Sequence, residues 1–472
     1  MAQLTTLPPE VTGLVSWELP TSAFCNLRLT CRSLYADTFH AFTGRYIQTV
    51  PIMLGYDSLR MLLTISRDNR LASAVQGIEV TSNRLSVEQF WKCGLHQKGS
   101  PRGSLKIESD NQGHPGHLKE VDGAFNSWCF RQAFQQQTAL AKEGLGVEIL
   151  SEALMGLPNL QKIRFSDDRY PCGASRLGRK IGVRPTNGLH GGQLGSTEFV
   201  QNIWQIVLRA ACRTNVREID VNLSCDRMWQ YITAVVPSCL ILPSDHQLLV
   251  SHNFPNLTTL RLLVAEQEVN SWQASDFIEI LRPFHKLTRF GLHFTEFESD
   301  EVLEPLFKSL EIKNLEVLEL SFLTISATSL IPFLLRHREK LKKVELRRVN
   351  VEEAESWSSL FAIMRSELPT CSLTLERCLY FERNFGPSAR MIAMTTENEF
   401  EAGKILVEME VARIDEMPEV RMSRSVSAET WQLGIFIRYE SLLAAQRELW
   451  ASAGDDVSMG SESAVITSIA QL

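Results

Sequence analysis

The segment Leu315-Glu316-Val317-Leu318-Glu319-Leu320 places leucine at its first, fourth and sixth positions, and this spacing recurs along the chain. Copies of the apolar-x-x-apolar-x-apolar pattern begin at Leu160, Val216, Leu257, Leu287, Leu315 and Leu341. The last four copies start 30, 28 and 26 residues apart, and the first two are separated by 56 residues, or about two repeat lengths. A short strand motif that recurs every ~20–29 residues is typical of leucine-rich repeats, in which each unit contributes one strand and one helix.

Apolar residues at helical spacing predict a helix between successive strand motifs. These helices are predicted over residues 272–281, 299–310 and 326–337. Ser326 stands where a side chain can cap the last of them. The asparagine of regular repeats is missing, because Leu323 occupies its position after Leu320. Since no single unit can bury its apolar strand face alone, the chain is predicted to form an irregular α/β solenoid of parallel strands and helices.

The first 45 residues differ from the repeats and predict three short amphipathic helices. Residues 7–10, Leu-Pro-Pro-Glu, suit a helix start, since proline is tolerated in the first turn and an acid suits the N-terminus. Four apolar residues then share one face, namely Val11, Leu14, Val15 and Leu19. Thr21 or Ser22 can cap the second helix, and Thr30 can cap the third. Because isolated short helices are marginal in water, this unit either packs as a small bundle on the rest of the chain or presents an apolar surface to a partner.

The order of motifs in this segment resembles the F-box. That pattern opens with Leu-Pro-x-Glu, continues through an apolar helix ending in Leu-Pro, and closes with Leu-x-x-Val/Thr-Cys-Arg and an aromatic residue. The matching residues are Leu7-Pro8-Pro9-Glu10-Val11, Leu19-Pro20 and Asn26-Leu27-Arg28-Leu29-Thr30-Cys31-Arg32-Ser33-Leu34-Tyr35. Two residues depart from the pattern: Gly13 weakens the first helix by ~1 kcal/mol, and Ala23 replaces a common acidic residue. Residues 60–66 and 71–80 extend the resemblance to fungal-type F-box proteins with degenerate leucine-rich repeats.

That resemblance implies a non-catalytic, substrate-recognition subunit of an SCF-type ubiquitin ligase. The F-box is expected to bind a Skp-type adaptor and through it a cullin, while the repeats bind a target protein; no cofactor is expected. Adaptor contact, or its immediate support, is predicted for Leu7, Pro8, Val11, Leu14, Leu19, Leu27, Leu29, Cys31, Leu34 and Tyr35. The alternative is a leucine-rich-repeat interaction scaffold with an F-box-like start and no ligase role.

The chain therefore divides into five predicted regions. They are the F-box at 1–45, a linking helical region with the first irregular repeats at 46–155, the degenerate repeats at 156–385, a helical C-terminal cap at 386–450 and a disordered tail at 451–472. The second region holds a loop rich in glycine and serine near 97–116. Amphipathic segments at 398–411 and 428–449 form the predicted cap, because the last unit of a solenoid needs a shield for its apolar face.

A basic, glycine-rich insertion at 166–196 interrupts the repeat period. Five basic residues occur there with no acid between them, namely Arg169, Arg176, Arg179, Lys180 and Arg184. Residues 173–180 have a superficial likeness to a phosphate-binding loop, but the Gly-Lys-Ser/Thr ending is absent. Since long loops on a repeat scaffold are often functional, these five residues are candidates for contacting an acidic or phosphorylated ligand. A solvated basic loop is the alternative.

No motif indicates catalysis or a metal centre. The sequence has no Gly-x-Ser-x-Gly elbow and no His-Glu-x-x-His, so no catalytic residue is predicted. The ten cysteines form no Cys-x-x-Cys pair, which favours a reduced intracellular protein. Zinc-type spacing occurs at Cys93, His96, His114 and His117, but the glycine- and serine-rich sequence between them favours an exposed loop over a zinc site.

Composition narrows the expected location and partners. The net charge of -7 argues against a general nucleic-acid binder. No apolar run approaches the ~18 residues that indicate a membrane span, and the N-terminus lacks the basic start and apolar segment of a signal peptide. The protein is therefore expected in the cytoplasm or nucleus, without nucleic acid or membrane as a partner.

Overall fold

The repeat strands lie side by side in one sheet. The structure is a computed structural model that describes residues 7–86, 123–142, 144–187, 194–223, 235–254, 256–264, 273–298, 300–351, 354–376, 378–380 and 400–401. All of these belong to the unit Met1–Glu408, whereas the second unit, Met409–Leu472, lies outside the described residues. The strands are β1 (Thr49–Ile52), β2 (Gly77–Val80), β3 (Asn83–Arg84), β4 (Lys162–Ser166), β5 (Thr186–Asn187), β6 (Glu218–Asn222), β7 (Thr259–Val264), β8 (Arg289–Glu298), β9 (Val317–Ile325), β10 (Lys343–Val351), β11 (Ser372–Glu376), β12 (Leu379–Tyr380) and β13 (Phe400–Glu401).

Nine of the described strands run parallel, in the order β1-β2-β4-β6-β7-β8-β9-β10-β11. At the far edge β12 pairs with the end of β10 and β13 lies antiparallel to β11, while β3 and β5 form a separate antiparallel pair. The register aligns one apolar position in successive strands: Ile163, Ile219, Leu260, Phe290, Leu318, Val344 and Leu373. Each of these side chains is at most 1% exposed. The predicted α/β architecture of parallel repeat strands and helices is therefore confirmed.

The helices lie before the first strand and between successive strands. They are α1 (Pro9–Glu18), α2 (Thr21–Thr30), α3 (Arg32–Asp37), α4 (Phe39–Phe42), α5 (Tyr56–Arg67), α6 (Asn69–Ala72), α7 (Gly123–Lys142), α8 (Leu145–Met155), α9 (Ala174–Ile181), α10 (Leu194–Ala211), α11 (Ser244–Asn253), α12 (Ala274–Leu281), α13 (Asp300–Ser309), α14 (Ala327–Arg336) and α15 (Ala354–Glu367). The helices predicted at 272–281, 299–310 and 326–337 are confirmed within two residues as α12, α13 and α14. Ser326 caps α14 as predicted, since its hydroxyl accepts a hydrogen bond of 3.2 Å from the Ser329 amide.

The core lies between the helices and one face of the sheet. In β7, Leu260 and Leu262 are fully buried whereas Arg261 between them remains partly exposed. Neighbouring repeats also pack helix on helix, and the rings of Phe307 on α13 and Phe333 on α14 meet edge to face with centroids 5.2 Å apart. Alternation along the strands thus buries leucines on one face and leaves polar side chains on the other, which we call the open face.

The 56 residues between the first two pattern copies form one enlarged repeat, so the interpretation as two repeat lengths is wrong. Strand β4 pairs directly with β6, which places Ile163 beside Ile219. The described residues of the connection form α9, β5 and α10, and none of them adds a strand to the main sheet. On α10, Trp204 is 1% exposed and its ring centroid lies 5.3 Å from that of Phe165. The insertion therefore lengthens the crossover between two neighbouring strands.

The N-terminal segment forms short helices as predicted, but their ends differ from the prediction. Pro20 occupies the N-cap of α2 and Cys31 that of α3, and neither helix has a capping hydrogen bond from a side chain. The caps predicted for Thr21, Ser22 and Thr30 are therefore wrong. The predicted third helix is split into α3 and α4, and a π-helical turn follows at Thr43–Ile47.

Several predicted features lie outside the described residues. These are the loop near 97–116 with Cys93, His96, His114 and His117, most of the predicted cap at 386–450, and the tail at 451–472. Within the predicted cap, only Phe400 and Glu401 are described. They form strand β13, so the helix predicted over 398–411 is wrong at these two residues.

Candidate functional site

Helix α1 buries two hydroxyl side chains and exposes its large apolar ones. Thr12 and Ser16 are 1% and 0% exposed, and the Ser16 hydroxyl donates a hydrogen bond of 2.6 Å to the Thr12 carbonyl. Leu14 and Trp17, by contrast, are 70% and 47% exposed. Each Å² of apolar surface left in water costs roughly 25 cal/mol, so this orientation favours a helix whose apolar side is covered by another molecule.

Exposed apolar side chains also occur on α2 and α3. In helices α1 to α3 the exposed large apolar side chains, which we call the N-terminal apolar residues, are Val11, Leu14, Val15, Trp17, Leu29 and Tyr35. Monomeric proteins rarely leave several large apolar side chains exposed in one small region, and such groups often mark interaction sites.

The residues predicted for adaptor contact separate by burial. Six are exposed, namely Pro8, Val11, Leu14, Leu29, Cys31 and Tyr35, and three are half-buried, namely Leu7, Leu19 and Leu27. Leu34 is 5% exposed and therefore supports the packing from inside. The predicted set omitted Trp17, although it follows Leu14 by three residues and helical spacing places both on one side of α1.

Arg28 packs inside the N-terminal helices and lies within the F-box-like segment. Its side chain is buried, and Nη1 donates a hydrogen bond of 3.1 Å to the Thr38 hydroxyl. The guanidinium carbon lies 4.4 Å from the ring centroid of Tyr35 and 4.2 Å from that of Phe42. Since a desolvated cation–π contact contributes about 2 kcal/mol, Arg28 stabilises the N-terminal helices, partly through Tyr35, which is one of the N-terminal apolar residues.

Charged side chains form rows across the open face of the sheet. One register level carries, from β2 to β10, Glu79, Arg164, Asp220, Arg261, Gly291, Glu319 and Glu345. Arg261 Nε donates to Glu319 Oε2 at 2.6 Å, and its Nη1 donates to Glu218 Oε1 at 2.5 Å. Arg289 Nε lies 2.9 Å from Glu319 Oε1. We call this array the charge ladder; opposite charges neutralise each other along it.

The two arginines around Glu319 hold its carboxylate in the charged form. Burial alone would raise the pKa of the Glu319 carboxyl, but the hydrogen bonds and charge of Arg261, together with Arg289, hold that pKa below its usual value. Burial lowers the pKa of His293, whose Nδ1 lies 2.8 Å from the Ser321 hydroxyl. His293 is therefore neutral near pH 7.

Gly291 lets the ladder cross strand β8. Arg261 lies on β7 and Glu319 on β9, so their contact must pass over the strand between them. A Cβ atom at Gly291 would lie 2.9 Å from His293 Nε2, 3.0 Å from Arg261 Cγ and 3.3 Å from Glu319 Oε2. A Cβ atom here would push these side chains apart, so glycine favours the passage of the ion pair over the strand.

A depression with a cavity volume of about 370 Å³ lies beside the ladder on the open face. We call it the Phe322 groove, and its lining residues are Leu263, His293, Phe294, Ser321, Phe322, Arg347, Arg348 and Glu376. Phe322 has φ 57° and Arg348 has φ 51°, a left-handed conformation that bulky residues seldom adopt. The Arg348 guanidinium carbon lies 4.7 Å from the centroid of the Phe322 ring.

Both left-handed residues interrupt the alternation of buried and open-face positions in their strands, and we call each interruption a bulge. In a regular strand every second residue faces the core. Leu320 and Leu323 are each 0% exposed although they are three positions apart, so the two residues between them both turn to the open face. Leu346 and Val349, also 0% exposed, enclose a second pair in β10. Because the flanking residues pair across β9 and β10, the two bulges lie side by side.

The basic insertion folds against the first strands of the sheet. Arg169 donates from its backbone amide to Glu79 Oε1 at 3.1 Å, and its Nε lies 3.1 Å from Glu79 Oε2. The Glu79 side chain is fully buried, and burial raises its pKa. Asp167 accepts hydrogen bonds of 2.7 and 2.6 Å from the amide and hydroxyl of Ser82. Arg169, a candidate for ligand contact, is therefore already the partner of a buried carboxylate.

The other candidate residues of the insertion lie on or after α9. Arg176, Arg179 and Lys180 are exposed on that helix, and Arg184 follows it. The opposite side of α9 is apolar and packs into a core cluster with Phe130. The segment thus forms a helix anchored on one side, and its likeness to a phosphate-binding loop is superficial, as expected from the sequence.

The described residues contain no group of three or more His, Cys, Asp or Glu side chains arranged to hold a metal ion. The cysteine and histidines with zinc-type spacing near the loop at 97–116 lie outside them. None of the helices in the described part of the chain is both long and apolar enough to cross a membrane.

No protein-family model matches this chain, and no curated protein matches its sequence. Among solved structures, the chain is similar to the leucine-rich-repeat-containing protein LegL7 from Legionella pneumophila, at 12% sequence identity. The match covers 73% of this chain and 92% of that chain, with a TM-score of 0.22. A TM-score of 0.22 is too low to show a shared fold. We therefore infer the repeat architecture from the register of the parallel strands.

Proposed function

We propose that this protein is a substrate-recognition subunit of an SCF-type ubiquitin ligase, in which the N-terminal helices bind a Skp-type adaptor and through it a cullin. The observation that carries the proposal is helix α1, which buries Thr12 and Ser16 and exposes Leu14 and Trp17. A helix oriented in this way favours a partner on its apolar side. The motif order that resembles the F-box is the reason to expect a Skp-type adaptor as that partner.

The repeats supply the second half of the proposal, the binding of a target protein. Stacked repeats form an extended surface on a rigid frame. The Phe322 groove lies beside the charge ladder on the open face, and Leu263, Phe322 and Arg348 in its lining are partly exposed. We therefore expect the target to bind on this face.

No catalytic residue is required of this chain. Ubiquitin transfer would be carried out by the other subunits, and this protein would hold the target near the charged conjugating enzyme. Tethering of this kind raises the effective concentration of target lysines to about the millimolar range, which converts a bimolecular encounter into an oriented one. We expect the protein to act in the cytoplasm or the nucleus and to need no cofactor.

Leu14→Glu tests adaptor binding, with Leu248→Glu as a matched control. The two leucines are similarly exposed, at 70% and 65%, but Leu248 lies on α11 in the repeats. Burying a leucine contributes about 1.5–3 kcal/mol, so Leu14→Glu should weaken adaptor affinity by about 10- to 100-fold. The assay is co-purification and calorimetric titration with a purified Skp-type adaptor.

Wild-type affinity in Leu14→Glu, or an equal loss in Leu248→Glu, would contradict the proposal. A double variant, Leu7→Ala with Pro8→Ala, gives an independent check, because it alters the F-box-like start while the repeats remain folded. Undiminished adaptor binding by this double variant would count strongly against the F-box assignment.

A repeat scaffold without ligase function is the second candidate, and the parallel repeat sheet itself favours it. Reconstitution with adaptor, cullin, RING subunit and conjugating enzyme separates the two. Ubiquitination of a protein captured by the repeats supports the ligase subunit. Adaptor binding without transfer to any captured protein supports the scaffold.

A further inference from the structure

We infer that the Phe322 groove binds an acidic linear segment of a partner protein, in which a carboxylate or phosphate group stands beside an apolar side chain. The inference rests on the proposed function, since it names the ligand chemistry of the open face. Charge, shape and backbone conformation of the groove each support it.

The groove contains a cation that the charge ladder does not neutralise. Arg347 has two acidic partners, Glu345 at 3.0 Å and Glu376 at 3.4 Å. Arg348 has no carboxylate partner among the described residues, and its guanidinium instead stacks on Phe322. A planar guanidinium held by one face keeps N–H donors at its edge, where a carboxylate or phosphate can accept two hydrogen bonds.

The walls of the groove are suited to an apolar neighbour of that anion. Leu263 and Phe322 are partly exposed along its lining, beside the Ser321 hydroxyl and the neutral His293 ring. An apolar side chain next to the anionic group would cover these two apolar residues. The groove therefore matches a mixed acidic and apolar sequence better than a purely charged one.

The backbone of the groove is held in an unusual conformation at the two residues that carry the proposed contacts. Phe322 and Arg348 both have a positive φ without being glycine or asparagine. Such conformations persist only where the surrounding structure imposes them, and they cluster at ligand-binding sites. Here the paired bulges place Arg348 directly over Phe322, with the guanidinium carbon 4.7 Å from the ring centroid.

The shape of the groove favours a peptide over a small molecule. Pockets for small molecules enclose most of the ligand surface, whereas this groove is an open depression on the sheet face. An extended segment needs to place only one or two side chains in it. The basic insertion is the competing location for an acidic ligand. Arg169 there is already paired with the buried Glu79, but Arg179 is exposed, so the test includes a variant of Arg179.

The test uses the full chain and three fluorescein-labelled peptides, Gly-Ser-Ala-Leu-X-Leu-Ala-Ser-Gly, with X as glutamate, phosphoserine or serine. Binding is measured by fluorescence anisotropy. Arg348→Asn removes the charge, and asparagine tolerates positive φ, so the bulge should be retained. Arg179→Gln is the matched control, because it removes one exposed positive charge from the insertion.

We expect at least one anionic peptide to bind at least about tenfold more tightly than the serine peptide, and Arg348→Asn to weaken that peptide about tenfold or more. Arg179→Gln should change its affinity less than about twofold. Whether glutamate or phosphoserine binds better distinguishes an acidic sequence from a phosphorylated one, and either result supports the inference.

Three outcomes would overturn it: equal binding of all three peptides, no binding of either anionic peptide up to about 1 mM, or an equal loss in Arg179→Gln and Arg348→Asn. Circular dichroism of Arg348→Asn verifies that the sheet is retained. The assay contains no adaptor and leaves the N-terminal helices unchanged, so its failure and the failure of adaptor binding are separate results.

Discussion

Glu319 lies at the centre of the charge ladder, and Glu319→Gln tests how much this ion network stabilises the sheet. Glutamine keeps the shape of the side chain but leaves Arg261 and Arg289 against a neutral amide. The side chains of these arginines are only 23% and 35% exposed. Removing one partner of a buried ion pair costs about 3–5 kcal/mol. Partial exposure weakens the Coulomb interaction, so we expect the free energy of unfolding to fall by about 2 kcal/mol.

The expected loss depends on pH with a definite sign. The pKa of Glu319 in the folded protein lies below its usual value because of Arg261 and Arg289, whereas a glutamate in an unfolded chain has a pKa of about 4.3. The stabilisation is therefore present above the unfolded-state pKa and is lost as the pH falls through the folded-state pKa. Since glutamine does not titrate, the difference between the two proteins should shrink in acid.

Urea unfolding followed by tryptophan fluorescence, at pH 7 and at low pH, measures this difference. Glu316→Gln is the control, because Glu316 pairs with Lys342 at 2.9 Å in a contact where both side chains are well exposed. That control should cost less than about 0.5 kcal/mol. A Glu319→Gln protein within about 0.5 kcal/mol of wild type at pH 7, or a deficit that stays constant in acid, would refute the reasoning.

Three further changes test local parts of the structure. Arg28→Met removes a hydrogen bond and the cation–π contacts, and should destabilise the N-terminal helices by about 2–3 kcal/mol. Amide exchange in α2 and α3 should become faster while exchange in the sheet stays unchanged. An equal change in exchange rate in the helices and the sheet would contradict this. Ser326→Ala removes the cap of α14 and should cost about 1 kcal/mol in urea unfolding, so an unchanged midpoint and slope would contradict the role of the cap. Burial raises the pKa of the Cys371 thiol to about 12 and that of Cys378 to about 11. Native protein at pH 8 should therefore alkylate at the exposed Cys25 and not at these two, as mass spectrometry of labelled peptides would show.

The repeat strands and their helices could be predicted because burial leaves a periodic record in the sequence. Leu318 and Leu320 face the core, and the same spacing places Val344 and Leu346 there one repeat later. The number of residues between copies did not predict the number of strands, because an insertion can lengthen one crossover without adding a strand, as it does between β4 and β6.

The candidate site was harder to predict because it depends on contacts between distant residues. Arg261 and Glu319 are 58 residues apart, and only the strand register brings them together. The left-handed Phe322 carries no glycine or asparagine signal that would indicate its bulge. In α1, helical spacing grouped Leu14 with its apolar neighbours, but it could not show that this side faces solvent and that Thr12 faces the core.

Hydrogen–deuterium exchange of the full chain, with and without a purified Skp-type adaptor, tests the proposed interaction most directly because it locates the contact. We expect slower exchange in α1 (Pro9–Glu18) and in α2 and α3 when the adaptor is present, with β7 to β10 unchanged. Protection confined to the repeat strands, or no protection of α1 at saturating adaptor, would contradict the proposal that these helices bind it.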